Sequence, residues 1–476
     1  MTAVKSILTI FFLTALLFSQ WDKYPTFPGY VDIMKQFETD YPDLCKIVEF
    51  GKSVEGRELF CARISDNVGI KEAEPAFLYS AAIHGDETAG YMSMLHLIDY
   101  LLSNYGTDAR VTGLVDSVEI WINPLFNPDG MYGTKPSGAN ANGVDLDRNF
   151  PGPGAGPHPD GNEWQPETIA MMALADSNDF VMSANFHGGA EVVAYPFDAW
   201  TSDEHSHVDK EWWEVICRDY ADTVHNHCAS GYMSQMNDGV TNGGDWYVTH
   251  GSRMDYMNYF ARCREITIEI SNTKLLPESQ LLTIWEYNYR SLLQYIEQVL
   301  YGIRGSVTDS LTGEAIRAKV FVENHDADSS WVYSHLPHGD YYRPIAEGTY
   351  SLTFSADGYL PKTVPDVTVE NNAATVVNVT LAKDPSSIST INAMTPPFTL
   401  CTVNGMVTLY IRDSFNGELR FCLFDIAGRK IKEVRAVTGG NTVVLVDRRK
   451  RLSNGVYIAR VYLGDQVPIK PFMITR

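Results

Sequence analysis

Ala76-Phe77-Leu78-Tyr79-Ser80-Ala81-Ala82-Ile83-His84-Gly85-Asp86-Glu87 passes from an apolar run, through a polar turn, into helical spacing at Tyr91, Met94, Leu95, Ile98 and Leu102. An apolar run without alternation is expected of a strand buried on both faces. The same short runs occur at 118–122 and 181–186, and strand patterns at 46–50 and 58–64. Helical periodicity precedes them at Tyr30, Ile33, Met34 and Phe37. It returns at Leu281, Trp285, Leu292, Ile296 and Val299. This alternation over residues 24 to 300 predicts a three-layer α/β domain around a mixed sheet.

His84 and Glu87 stand three apart at the start of the second helix, close enough to chelate one cation. Alone, that pair reads more often as an exposed turn. His187 ends another apolar strand, in Ser183-Ala184-Asn185-Phe186-His187-Gly188-Gly189. Open α/β sheets place their sites at the carboxyl ends of strands. Two His and one Glu leave a fourth tetrahedral position for water, as a hydrolytic zinc site requires. By itself His187 reads equally as a satisfied core histidine. His205, His207, His225 and His227 lie on polar or helical ground and are expected at the surface. In 264–270, Ile266, Ile268 and Ile270 share one strand face, and Glu265, Thr267 and Glu269 share the other. An acid in a buried sheet is costly unless paired or functional. Glu269, near the strand end, is therefore the candidate general base, the alternative being a solvated edge strand.

The 476 residues carry 37 Lys and Arg against 59 Asp and Glu, a formal charge of −22. Such a balance excludes a nucleic-acid partner, which needs a cationic surplus. Apolar residues at 45% exclude general disorder. The apolar run 7–18 behind Lys5 is too short to span a bilayer and fits a signal peptide over 1–20. The mature chain then begins near Trp21 with no transmembrane anchor. Seven cysteines are sparse and odd in number, and no C-x-x-C occurs, so neither a disulfide framework nor a thiolate zinc site is expected. Beyond Gly302 helical spacing ends. Residues 303–383 have the turns and length of one β-sandwich, 384–397 read as a linker, and 398–476 form a second small all-β unit. The first domain then covers 21–302.

Asn127-Pro128-Asp129-Gly130 is followed by Asn140-Ala141-Asn142-Gly143-Val144-Asp145-Leu146-Asp147-Arg148-Asn149-Phe150-Pro151. These blocks resemble the zinc metallocarboxypeptidases of the N/E (regulatory) subfamily. So do His187-Gly188-Gly189-Ala190, Tyr195-Pro196-Phe197-Asp198, Thr241-Asn242-Gly243-Gly244-Asp245-Trp246-Tyr247 and 265–270, in the family's order. The resemblance implies one zinc ion per chain, held by His84, Glu87 and His187. Glu269 would move the proton, Arg148 would grip the terminal carboxylate of a peptide or protein, and Tyr247 would close over it. Asp198 aligns with the acid that selects Lys or Arg, and Met254 with a second specificity position that is usually polar. Two departures stand out. Asp147 replaces the usual Asn beside Arg148, and Gly138 replaces the Arg that steadies the oxyanion, with Lys135 nearby.

Residues 303–382 resemble the transthyretin-like sandwich that follows the catalytic domain in this subfamily. The stretch 398–476, through Phe424-Asp425-Ile426-Ala427-Gly428-Arg429 and Leu452-Ser453-Asn454-Gly455-Val456-Tyr457, is similar to the C-terminal sorting domains of type IX secretion. That resemblance implies passage through a bacterial periplasm, the type IX machinery as partner, and a secreted or cell-surface protein. The expectation is a carboxypeptidase releasing Lys or Arg. The alternatives are a zinc hydrolase of cell-wall or otherwise unusual peptides, and a weakly active or non-catalytic peptide-binding surface protein.

Overall fold

The computed structural model describes residues 21–385 and the strands between 398 and 475. The signal-peptide reading of 1–20 and the linker residues 386–397 lie outside the described residues. Two compact units divide at Lys383 and Asp384.

In the first unit, an eight-stranded mixed sheet has the order β1-β2-β4-β3-β5-β8-β6-β7. Its strands are β1 (Cys45–Lys52), β2 (Glu58–Ile64), β3 (Ala76–Ala81), β4 (Glu119–Asn123), β5 (Met182–His187), β6 (Ala190–Tyr195), β7 (Val240–Asn242) and β8 (Arg264–Ser271). The long helices are α1 (Phe27–Asp40), α2 (Thr88–Asn104), α3 (Pro166–Asn178), α4 (Lys210–His225) and α5 (Leu281–Glu297). Phe77, Tyr79 and Ala81 pack with α1, α2, α4 and α5 on one side of the sheet. Ala76 and Leu78 pack with Met171, Leu174 and Ala175 of α3 on the other. A strand covered on both faces has no polar side to show, which is why β3 reads as a continuous apolar run.

β8 runs parallel to β5 and antiparallel to β6, so it is an interior strand and not a solvated edge. Its two acids are both buried. Glu265 is paired with Arg253, through Nη2 to Oε2 at 2.7 Å.

Residues 302–381 fold as two sheets, β11-β10-β13-β14 and β12-β9-β15, with β16 also pairing β9. The strands are β9 (Gly302–Asp309), β10 (Lys319–Val322), β11 (Val332–Tyr333), β12 (Asp340–Arg343), β13 (Gly348–Ser355), β14 (Lys362–Val369), β15 (Ala374–Val376) and β16 (Val379–Leu381). Ile303, Val307, Val320, Leu352 and Phe354 share their core. This β domain is clasped to the first domain through Asp209, the residue preceding α4. Asp209 accepts two bonds from the Arg343 guanidinium at 2.8 and 3.0 Å, one from Arg264 at 3.2 Å, and meets His325 Nε2 at 2.8 Å. His207 corrects the surface expectation. It is buried, and its Nδ1 accepts the Asp209 backbone N–H at 3.0 Å and the Trp213 indole N–H at 3.3 Å. Burial pushes its pKa down to about 4, so it is a neutral acceptor holding the loop into α4.

The second unit contains two antiparallel sheets. One is β17-β18-β21, from β17 (Phe398–Val403), β18 (Met406–Ile411) and β21 (Thr442–Val446). The other is β20-β19-β22-β23, from β19 (Gly417–Asp425), β20 (Lys430–Thr438), β22 (Val456–Leu463) and β23 (Ile469–Thr475). Turn residues 426–429 and 451–455, which carry part of the sorting-domain resemblance, lie outside the described residues. Among the described residues, the six cysteines at 45, 61, 217, 228, 263 and 422 are free thiols, and no helix is long and apolar enough to cross a membrane.

Candidate active site

β3, β5 and β8 are parallel neighbours, so their carboxyl ends emerge on one edge of the sheet. His84 follows β3, His187 ends β5, and Glu269 is the register partner of His187 on β8. Backbone register thus pairs His187 with Glu269, and the turn after β3 brings His84 to the same edge. Ala82, between β3 and His84, has φ of 55°, a left-handed conformation that an L-residue rarely adopts. It turns the chain off the sheet edge. A Cβ on Gly85 would overlap the backbone of Gly130 and Met131, so the His84 turn can lie on the 127–130 loop only with glycine there. Asn127 fastens that contact, donating to Ile83 O at 3.1 Å and Gly138 O at 3.3 Å.

His84 Nδ1 lies 3.0 Å from Glu87 Oε1, and His187 Nδ1 lies 3.0 Å from Glu87 Oε2. One ligand atom of each residue lies within 4.8 Å of the others. Both rings are braced from behind. His84 Nε2 meets Asp145 Oδ1 at 3.0 Å, and His187 Nε2 lies 2.7 Å from the Asn185 amide. Two imidazole nitrogens and a carboxylate, each ring oriented by an outer partner, form a donor set suited to zinc. Burial would raise the Glu87 carboxyl. The hydrogen bonds and charge of His187 and His84 outweigh it and hold Glu87 well below the usual carboxylate range. Lys274 Nζ also reaches Glu87 Oε1, at 2.7 Å.

Glu269 is 8% exposed, and its Oε2 is buried without a hydrogen-bond partner. Burial pushes its carboxyl up to about 7. An orphaned acceptor beside a metal-type cluster is what a proton-transfer group needs before substrate arrives.

Arg148 donates through Nη1 to Asp147 O at 2.6 Å and Asp147 Oδ2 at 3.1 Å, and through Nη2 to Tyr247 Oη at 3.3 Å. Tyr247 is 49% exposed. Asp198, Gly243 and Met254 meet at one point. A Cβ on Gly243 would overlap Asp198 Oδ1 and press on Met254 Cε. Gly138 lies against His84 and Asp86 with no cation between them, and Lys135 is exposed on the same loop. All of the expected residues therefore converge on one edge of the sheet.

Sequence reasoning passed over Asp145, Asn185, Arg253 and Asp255. Asp255 is buried and accepts the backbone N–H groups of Asp198 and Ala199 at 2.8 and 2.9 Å. Burial and the Asp198 charge push its carboxyl up. Asp145 had a signal, since it lies within the quoted 140–151 block. Arg253 had a weaker one, in the demand of a buried Glu265 for a partner.

A family model described as zinc carboxypeptidase matches residues 30–291. The chain belongs to the zinc carboxypeptidase family. A carboxypeptidase regulatory-like domain matches residues 302–382. Carboxypeptidase D of Homo sapiens is 36% identical over 378 residues, covering 74% of this chain and 26% of that protein. The chain thus spans about a quarter of that relative's length. The carboxypeptidase N catalytic chain of Mus musculus is 34% identical over 419 residues, covering 77% of this chain and 88% of that one. Among solved structures, thrombin-activatable fibrinolysis inhibitor superposes with a TM-score of 0.51 at 19% identity, covering 59% of this chain and 75% of that one. It shares the fold. The family uses zinc, and the donor set of His84, Glu87 and His187 fits it.

If the outer partner orients the ligand, Asp145→Ala will weaken zinc binding by about 10–100-fold. Competition against a chromophoric chelator measures this. An unchanged affinity would show that His84 needs no support.

Proposed function

We propose that the chain is a zinc-dependent carboxypeptidase that hydrolyses the C-terminal peptide bond and releases Lys or Arg. His84, Glu87 and His187 hold the one zinc ion. When bound, zinc supplies Lewis acidity to the scissile carbonyl and to the attacking water. Glu269 takes a proton from that water and delivers it to the leaving amine as the C–N bond breaks. Arg148 anchors the end of the peptide, and Tyr247 covers it from the solvent side. Asp198 lies in the side-chain pocket beside Met254, where its carboxylate suits a cationic side chain. The observation that carries this reading is the partnerless Oε2 of Glu269, directly across from His187 in the strand register.

The test is release of free amino acid from matched peptides ending in Arg and in Phe, with and without a metal chelator. Chelator-sensitive release of Arg over Phe is expected, and no release from either peptide would overturn the reading. Asp198→Ala is expected to abolish the preference for Arg over Phe. An unchanged ratio removes Asp198 from the pocket.

The route to the cell surface is read from 398–476 as type IX secretion. A chain cut after residue 397 should then remain in the periplasm on cell fractionation. Its appearance outside the cell would refute that route.

A further inference from the structure

The geometry points to substrates whose last residue presents an uncharged carboxamide where an ordinary peptide presents a carboxylate. This rests on the carboxypeptidase reading above and concerns the anchoring position beside Arg148. Asp147 is 8% exposed and cannot swing away. Its Oδ1 accepts the backbone N–H of Arg253 at 3.0 Å. Arg253 is itself fully buried and locked to Glu265. Asp147 Oδ2 stays 3.1 Å from Arg148 Nη1 and 3.8 Å from His187 Nε2. The anchor is therefore a cation and an anion side by side, each held in place.

A terminal carboxylate accepting from Arg148 Nη2 would set its second oxygen against Asp147 Oδ2, acceptor against acceptor and charge against like charge. A carboxamide meets both groups: its oxygen accepts from Arg148, and its N–H donates to Asp147 Oδ2. The loop that carries Gly138 offers one cationic side chain, Lys135, and it is exposed to solvent. Gly138 carries no side chain, and a side chain there would meet the buried, partnerless Oδ1 of Asp86. Asp198 adds a further carboxylate on the pocket side, and burial together with that charge pushes the neighbouring Asp255 carboxyl up. Lys274 and Arg253, the other nearby cations, are each paired with a glutamate.

The reaction consumes one water. The amide bond before the last residue breaks, the shortened peptide keeps the new carboxyl, and the last residue leaves as a free amine with its carboxamide intact. The carboxamide can be a primary amide or the next peptide bond of a longer chain, in which case a dipeptide is released.

Zinc-loaded protein from Trp21 onward, natural and Asp147→Asn, would be given acyl-Ala-Arg, acyl-Ala-Arg-amide and acyl-Ala-Arg-Gly. The amide should exceed the free acid in kcat/KM by about tenfold or more, and Asp147→Asn should reverse that order. The Arg-Gly peptide shows whether a following peptide bond also serves. A free acid cleaved as well as the amide, or a ratio that Asp147→Asn leaves alone, overturns the proposal while leaving the carboxypeptidase reading standing. Calorimetry with argininamide and arginine decides the matter even without turnover. Tighter arginine overturns the proposal. Tighter argininamide with no peptide cleaved sinks the carboxypeptidase reading and keeps this anchor.

Discussion

Glu269→Gln is expected to lower kcat for peptide hydrolysis by about 10²–10⁴-fold, the span general acid–base groups contribute, while zinc stays at one per chain. The amide keeps the shape and burial of the carboxyl, so packing around β8 does not change. It cannot accept and return a proton. Glu269 Oε2 has no partner to lose, so the substitution strands no donor elsewhere. Glu87, which faces both histidines, is untouched, and zinc content measured by elemental analysis should match the natural protein. A rate within threefold of natural would show that another group moves the proton. Loss of zinc together with rate would show that Glu269 acts on the metal site and not on water.

Asp209→Ala should cost about 3–5 kcal/mol of unfolding free energy, the usual result of removing one partner from a buried ion cluster. The Asp209, Arg343 and Asp326 side chains are fully buried, and that of Arg264 nearly so. Without Asp209, Arg264 keeps only the Ser330 carbonyl at 2.6 Å, and burial already pulls its pKa down to about 10. Arg343 keeps Asp326 and loses its two bonds to Asp209. The cluster joins the amino end of β8 and the start of α4 to the β9–β16 domain, at the strand end opposite Glu269. Folded Asp209→Ala protein should therefore retain its kcat. Denaturant unfolding of Asp209→Ala, Arg343→Ala and the double variant gives the coupling between the two domains. Additive losses would mean the two residues act independently, against the geometry.

Much of the site was legible because its chemistry is carried by residue types that are costly where they stand. A buried acid on a strand has to be paired or used, and β8 carries one of each: Glu265 is paired and Glu269 is not. His84 and Glu87 lie three apart on one turn, so chain connectivity brings them together. His187 was ambiguous on its own because a histidine ending an apolar strand is equally a core residue. The parallel pairing of β3, β5 and β8 removes that ambiguity. His207 was misread because its polar sequence neighbours suggested solvent, whereas the β9–β16 domain covers the loop that carries it.

The sequence by itself determined the layered α/β domain, six of the eight strands of its sheet, the change to all-β structure after Gly302 and the residue types of a hydrolytic zinc site. Those features follow from periodicity and from local spacing, which the chain carries along its length. Only the tertiary structure decided that Asp145 and Asn185 brace the two imidazoles, that Arg253 satisfies Glu265, and that the Arg253 backbone pins Asp147 against Arg148. Asn185 and His187 are two apart on one strand face, whereas the other contacts join segments whose approach depends on strand order and loop packing, and no local pattern encodes the distance between those.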